Sequence, residues 1–270
     1  MNYKLIITCL IILTPMLILK YIDHDIEKLE LSYPRFNTEL NKYELNQIKP
    51  VSWVHINEIS NISKWAILVS EDWAFYQHKG VDYQQLKIVL KESFQTFKLA
   101  RGASTITQQV VKNVFLNSNK SLWRKIKEFI YATRIEKIRT KDQILETYIN
   151  LIELGPNIYG IKEASKVYFN KEPKNLTAKE GAFLAMLLPS PVKYSQSFRN
   201  QKLTPFAIEV IESILVKLRQ AKVYSEGDRL TARAQILFIN DDLVEGFDPV
   251  ENMVPELDDD FYGDDSYLNN

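Results

Sequence analysis

Hydrophobic and polar positions divide this 270-residue chain into stretches of distinct character. From Leu5 to Leu19 it is apolar, with no charge between Lys4 and Lys20. Residues 21–50 turn polar and show few strong periodicities. Helical spacing then takes over. Residues 84–99 set Leu86, Val89, Leu90, Phe94 and Phe97 on one face. Residues 121–139 predict a basic amphipathic helix carrying Ile126, Phe129, Ile130 and Thr133 on one side, with Ser121 or Asn119 as its cap. Residues 141–153 repeat the pattern through Ile144, Leu145, Tyr148, Ile149 and Ile152, until Gly155-Pro156-Asn157 breaks it. Thr177 to Glu180 is a capping-box pattern that opens an apolar helix over 178–188, and Pro189-Ser190-Pro191 closes it. Residues 205–222 predict one further helix. Strand signals are confined to Val110-Val111 and Ile236 to Ile239, too short to define a sheet. The pattern is that of a mainly α-helical chain.

The apolar start is short for a membrane span, which needs roughly 17–25 residues. Tyr3 and Tyr21-Ile22 extend it at the interface. No small-x-small cleavage site follows Leu19, so the reading is an uncleaved transmembrane signal anchor over residues 1–22, with a cleaved signal as the alternative. Lys4 and the amino terminus favour an N-terminus inside, and Lys20 weakens that asymmetry. The expected organisation continues with a stalk over 23–50, a catalytic domain over 51–240 and an acidic, disordered tail over 241–270.

Cys9 is the one cysteine, which excludes an internal disulfide framework and a cysteine metal site. The net charge of zero conceals an asymmetry. Residues 241–270 hold 11 acidic residues and no Lys or Arg, leaving 34 basic against 23 acidic residues in 1–240, a net of +11. A basic body suits an anionic membrane surface or substrate, and an exported domain does not ordinarily meet nucleic acid.

The chemistry-bearing residues fall in two blocks. Glu71 follows the apolar run Trp65 to Val69, at the edge of a buried element where partial desolvation makes a carboxylate a useful base. Around it lie Asp72, Phe75, His78, Gly80 and Asp82. On composition alone Glu71 and Asp72 read as ordinary helix-terminal acids. The chain has only His24, His55 and His78, with no helical pair, so a zinc site is not expected. His78 is assigned a hydrogen bond that fixes the loop, and Gly80 a backbone shape closed to other residues. The second block, Ser104-Thr105-Ile106-Thr107-Gln108-Gln109, offers neutral donors and acceptors for sugar hydroxyls and phosphate oxygens. It reads equally as a helix start with Ser104 or Thr105 as N-cap. Between Arg101 and Arg139 nine basic residues face only Glu128 and Glu136. That is either a solvated face or a clamp for a diphosphate.

These blocks, in this order, resemble the first two motifs of the family 51 glycosyltransferases, which polymerise lipid II into peptidoglycan glycan strands. Arg124-Lys125-Ile126-Lys127-Glu128 resembles the third motif, Ile144 to Asn150 with Gly155, Gly160 and Tyr168-Phe169 the fourth, and Glu180-Gly181-Ala182 through Pro191 the fifth. The likeness covers about residues 50–222. Ala103 departs from it, standing where a second glycine is usual, and Ser165 stands where alanine is common. The resemblance implies a lysozyme-like, two-lobed, mainly α glycosyltransferase domain on a single-pass anchor. The chain would sit in a bacterial inner (cytoplasmic) membrane, with that domain on the outer or periplasmic side. It implies Glu71 as general base and Glu128 as organiser of a clamp. Ser104, Thr105, Gln108, Gln109, Lys112, Arg124 and Lys125 would hold substrate, and Phe75, His78, Gly80 and Asp82 the loop.

The implied partners are lipid II, the growing glycan and the membrane, with cross-linking left to a separate transpeptidase. The resemblance admits a divalent cation, magnesium or manganese, beside Glu128, and the sequence itself requires no cofactor. A penicillin-reactive site is not expected. The one Ser-x-x-Lys, Ser190 to Lys193, contains Pro191, and no Ser-x-Asn or Lys-Thr-Gly element accompanies it. Two alternatives stay open: a lysozyme-like enzyme that cuts glycan with a carboxylate pair, and an inactive membrane-tethered assembly factor.

Overall fold

The computed structural model describes residues 3–30, 32–96, 102, 104–116 and 121–241, of which 3–12, 15, 95 and 96 are described by backbone alone. The chain divides into two compact units. One comprises residues 1–51 and 77–148, the other residues 52–76 and 149–270. The acidic tail after Asp241 lies outside the described residues.

In the first unit α1 (Tyr3–Glu30) runs unbroken through the apolar segment and into the segment expected as a stalk. Its second half places Ile22, Ile26 and Leu29 four and three residues apart, so they share one face, and all three are buried. That face packs on α5 (Leu122–Ile138). The rest of the expected stalk contains an antiparallel hairpin, β1 (Tyr33–Asn37) and β2 (Lys42–Asn46). Asn37 Oδ1 accepts from the backbone of Glu39 and Leu40, and Asn41 turns the chain at φ 49°. Asn and Asp side chains make such turns readily. Among the described residues no helix is long and apolar enough to cross a membrane. The first half of the expected anchor falls on side chains outside them.

Two helices complete the first unit, α3 (Tyr83–Thr96) and α4 (Ile106–Phe115), and the chain leaves it within α6 (Lys141–Leu151). Asp82 accepts from the Gln85 amide at the start of α3. The Val110-Val111 strand signal belongs instead to α4, where Ile106, Val110 and Val111 form a buried helical stripe against α5.

The second unit is built round α2 (Asn61–Glu71), α8 (Ala178–Leu187) and α11 (Pro205–Gln220), which pack on one another. Every residue of α8 is buried, the apolar run Ala182 to Leu187 on all sides and Lys179 and Glu180 in its first turn. The expected capping box opens it, with Thr177 accepting from the Glu180 amide. Gly181 lies against Ser63 of α2 so closely that a β-carbon would collide with it, so this glycine sets the approach of the two helices. Around this core lie the short hairpin β3 (Glu153–Gly155) and β4 (Ile158–Tyr159), then α7 (Ile161–Phe169), the single turns α9 (Pro191–Tyr194) and α10 (Gln196–Arg199), and α12 (Glu226–Ala234). Phe183 packs edge-on against Tyr168, Phe169 and Phe238. Ile236 to Ile239 form no strand.

Candidate active site

The first motif begins in the second unit. Glu71 is the last residue of α2, two positions past the buried run Ala66, Ile67, Leu68 and Val69, so the expectation of a carboxylate at the edge of a buried element holds. Asp72 caps the helix, its amide donating to Leu68 O at 2.8 Å. Phe75 is buried and stands edge-on to Tyr76 at 5.2 Å between centroids. A residue that sequence reasoning missed acts on Glu71. Lys217, in the last turn of α11, is half-buried among apolar neighbours. Burial pushes its ammonium below the ordinary lysine range, and the Glu71 carboxylate opposes that shift by favouring the charged form. The available signal was a lone cation inside the run Ile214-Leu215-Val216-Lys217-Leu218. Nothing in the sequence says that α11 lies beside α2.

The remaining expected site residues lie in the first unit. His78 is half-buried in the loop before α3. Gly80 has φ +88°, the left-handed region that disfavours side chains, and a β-carbon there would run into the Ala132 carbonyl of α5. The Gly80 carbonyl accepts from Thr105 Oγ1 at 2.7 Å, which ties the first motif to the second.

Thr105, one of the two expected caps, opens α4. Its hydroxyl accepts from the Gln108 amide, while Gln108 Oε1 accepts from the Thr105 amide at 3.0 Å. Gln108 is buried, and its Nε2 donor has no partner among the described residues. Gln109 accepts from Tyr148 Oη at 3.3 Å. Lys112 is exposed on the last turn of α4. Ala103 lies outside the described residues, while its neighbour Gly102 has φ +108°.

The third motif occupies the first turns of α5. Glu128 is 3% exposed and binds Lys125 Nζ, with Arg124 Nη1 3.6 Å from its other oxygen. Lys125 also donates to Ser104 Oγ at 3.1 Å, which joins the third motif to the second. Arg124 keeps a buried Nε donor without a partner among the described residues. Leaving such a donor unpaired costs about 1–3 kcal/mol. The charged run is not one uniform face. Arg134 is committed to Asp23, and Arg139 donates to Leu29 O at 2.9 Å. Thr107 and Lys141 both serve Glu136.

Gly80, Ser104, Thr105, Gln108, Arg124, Lys125 and Glu128 thus form one connected cluster at the N-terminus of α4. Helix-start amides, two cations and unfilled donors suit phosphate or sugar oxygens. They do not suit a resident divalent ion. Glu128 is already held by two cations, and among the described residues no three carboxylates, histidines or cysteines come together as a metal site.

A family model described as Transglycosylase matches residues 38–215. A biosynthetic peptidoglycan transglycosylase of Nitrosomonas eutropha is 36% identical over 171 residues, covering 63% of this chain and 68% of the relative. The protein of that name from Acinetobacter baylyi is 39% identical over 160 residues, 58% of this chain and 71% of the relative. The one from Pectobacterium carotovorum is 37% identical over 179 residues, 66% and 72% respectively.

Proposed function

Because the chain belongs to the transglycosylase family, the family 51 glycosyltransferases, we propose that it is a monofunctional peptidoglycan glycosyltransferase that polymerises lipid II. The single observation that carries the site assignment is the cluster at the start of α4. There Arg124 and Lys125 flank the buried Glu128, while Gln108 and Arg124 hold buried donors without a partner among the described residues.

In this reading Glu71 takes the proton of the acceptor's 4-hydroxyl. The freed oxygen bonds to the donor's anomeric carbon as that carbon's bond to the diphosphate breaks, and undecaprenyl diphosphate leaves. Lys112 and Arg124 stabilise the charge that builds on the leaving oxygens. Ser104, Thr105, Gln108 and Gln109 hold the donor, and Lys125 is kept in place by Glu128. Phe75, His78, Gly80 and Asp82 shape the loop. Both partners carry lipid, so the reading includes a single-pass anchor in α1 and a catalytic region outside the membrane. Supporting it are the uncharged Leu5 to Leu19 and the exposed Leu13, Met16, Leu17 and Ile18. Leu122 and Trp123, exposed on the first turn of α5, suit an interface. The family's lysozyme-like, two-lobed arrangement completes the reading.

The test is direct. Purified protein given lipid II should yield glycan polymer, and Glu71→Gln, which keeps the shape without a proton acceptor, should cut turnover by about 10²–10⁴-fold while the protein stays folded. Near-normal turnover in that variant would remove Glu71 as the base. Cleavage of preformed glycan in place of synthesis would mean a hydrolase.

A further inference from the structure

The contact between α1 and α5 has two parts of different physical kind. The apolar part, Ile22, Ile26 and Leu29, is buried, and burial of apolar surface is the non-directional part of the contact. The polar part is directional. Arg134 grips both oxygens of Asp23, with Nε 2.7 Å from Oδ1 and Nη2 on Oδ2. One turn earlier on α5, Tyr131 Oη donates to Asp25 Oδ2 at 3.1 Å. Hydrogen bonding to Arg134 holds the Asp23 carboxyl below its ordinary range. The Asp23–Arg134 pair is about a quarter exposed on each side, so it adds little to stability. A two-pronged guanidinium–carboxylate contact instead accepts only one relative placement of the two helices.

That placement matters because of what each helix carries. Toward its N-terminus α1 continues without a break into the apolar segment. Toward its own N-terminus α5 carries Arg124 and Glu128, and Arg124 is ten residues, about 15 Å, along the axis from Arg134. We propose that Asp23, Asp25, Tyr131 and Arg134 form a latch that positions the diphosphate-binding end of α5 relative to the apolar half of α1, and so relative to the lipid surface. α1 is then a strut that sets the height of the site, not only a tether. These four are positioning residues. They rest on the reading above, in which α1 meets a membrane and α5 meets a lipid-linked diphosphate.

The experiment compares two substrates in the full chain: lipid II embedded in liposomes, and a water-soluble lipid II analogue with a shortened prenyl tail. Asp23→Ala and Arg134→Ala should each lower kcat/KM on the embedded substrate about three- to tenfold, mainly through KM. Turnover of the soluble analogue and Tm should hardly move. The charge-reversed double variant Asp23→Arg/Arg134→Asp should recover part of the loss. Equal activity of the single variants on both substrates would overturn the latch. So would a parallel loss on both substrates with a fallen Tm, which marks a merely structural contact. A parent chain inactive on both substrates would overturn the reading of function itself, and the latch with it.

Discussion

Glu71 and Lys217 show what a single residue's surroundings add to its chemistry. Glu71 ends a helix held on α8 and α11, so its carboxylate leaves a packed scaffold and not a loose loop. Lys217 reaches the same region from α11, and the two charges act on each other. The cation favours the ionised carboxylate, which is the form a general base must have. Removing the cation in Lys217→Met should therefore make Glu71 easier to protonate. The acid limb of the kcat/KM–pH profile should move to higher pH. Lys217→Arg should leave it near its original position. An acid limb that stays fixed in Lys217→Met would sink the idea that this lysine tunes Glu71. At this scale the sequence was informative where chemistry and local pattern coincide. Thr105 as cap, Gly80 in a left-handed turn and Glu71 at a helix end all followed from neighbours within a few residues. Lys217 did not, because its partner is 146 positions away in the chain and only helix packing brings them near.

Elements were legible when their apolar stripe was long and their ends were punctuated. The expected helices over 121–139, 141–153, 178–188 and 205–222 match α5, α6, α8 and α11 to within two residues at each end. The hairpin of β1 and β2 was missed because its strands are half-exposed and polar, with Asn37 and Asn41 as its only turn signal. The stripe Ile22, Ile26, Leu29 straddles the expected boundary, with Ile22 in the anchor and Ile26 and Leu29 in the stalk, so its shared face was not anticipated. The β3–β4 hairpin permits a test at this scale. Burial raises the Glu153 carboxyl above its ordinary value of 4.5. A raised carboxyl favours the folded state only while it is protonated. That contribution is complete below the unfolded pKa and is lost as pH rises through the folded one. Glu153→Gln should therefore raise the Tm at neutral pH, and the gain should shrink as pH is lowered toward 4.5. Thermal melts across that range would refute this if the variant were no more stable at pH 7 than the parent.

At the scale of the whole molecule, the end of α1 belongs to the folded body, and this changes what truncation should do. Removing residues 1–20 deletes the apolar segment but leaves Ile22, Ile26 and Leu29 on α5, together with the Asp23 and Asp25 contacts. That shortened chain should fold, lose affinity for membranes and polymerise embedded lipid II more slowly, because enzyme and substrate no longer share one surface. Removing residues 1–31 also strips the apolar face of α5 of its cover and leaves Arg134, Arg139 and Tyr131 without their α1 partners. Three buried aliphatic side chains at about 1.5–3 kcal/mol each set an upper bound on the loss. Each kcal/mol lowers the Tm of a chain this size by about 2–4 °C. The longer truncation should therefore melt several degrees below the shorter one, by as much as about 20–35 °C at that bound. It should also lose turnover on the water-soluble analogue, which the shorter truncation retains. A chain that begins at residue 21 and one that begins at residue 32 would be purified side by side, then compared by melting and by turnover of the soluble substrate. Coincident melting curves would mean that α1 contributes nothing beyond its apolar half, and the division of the helix into a membrane part and a docked part would have to be given up.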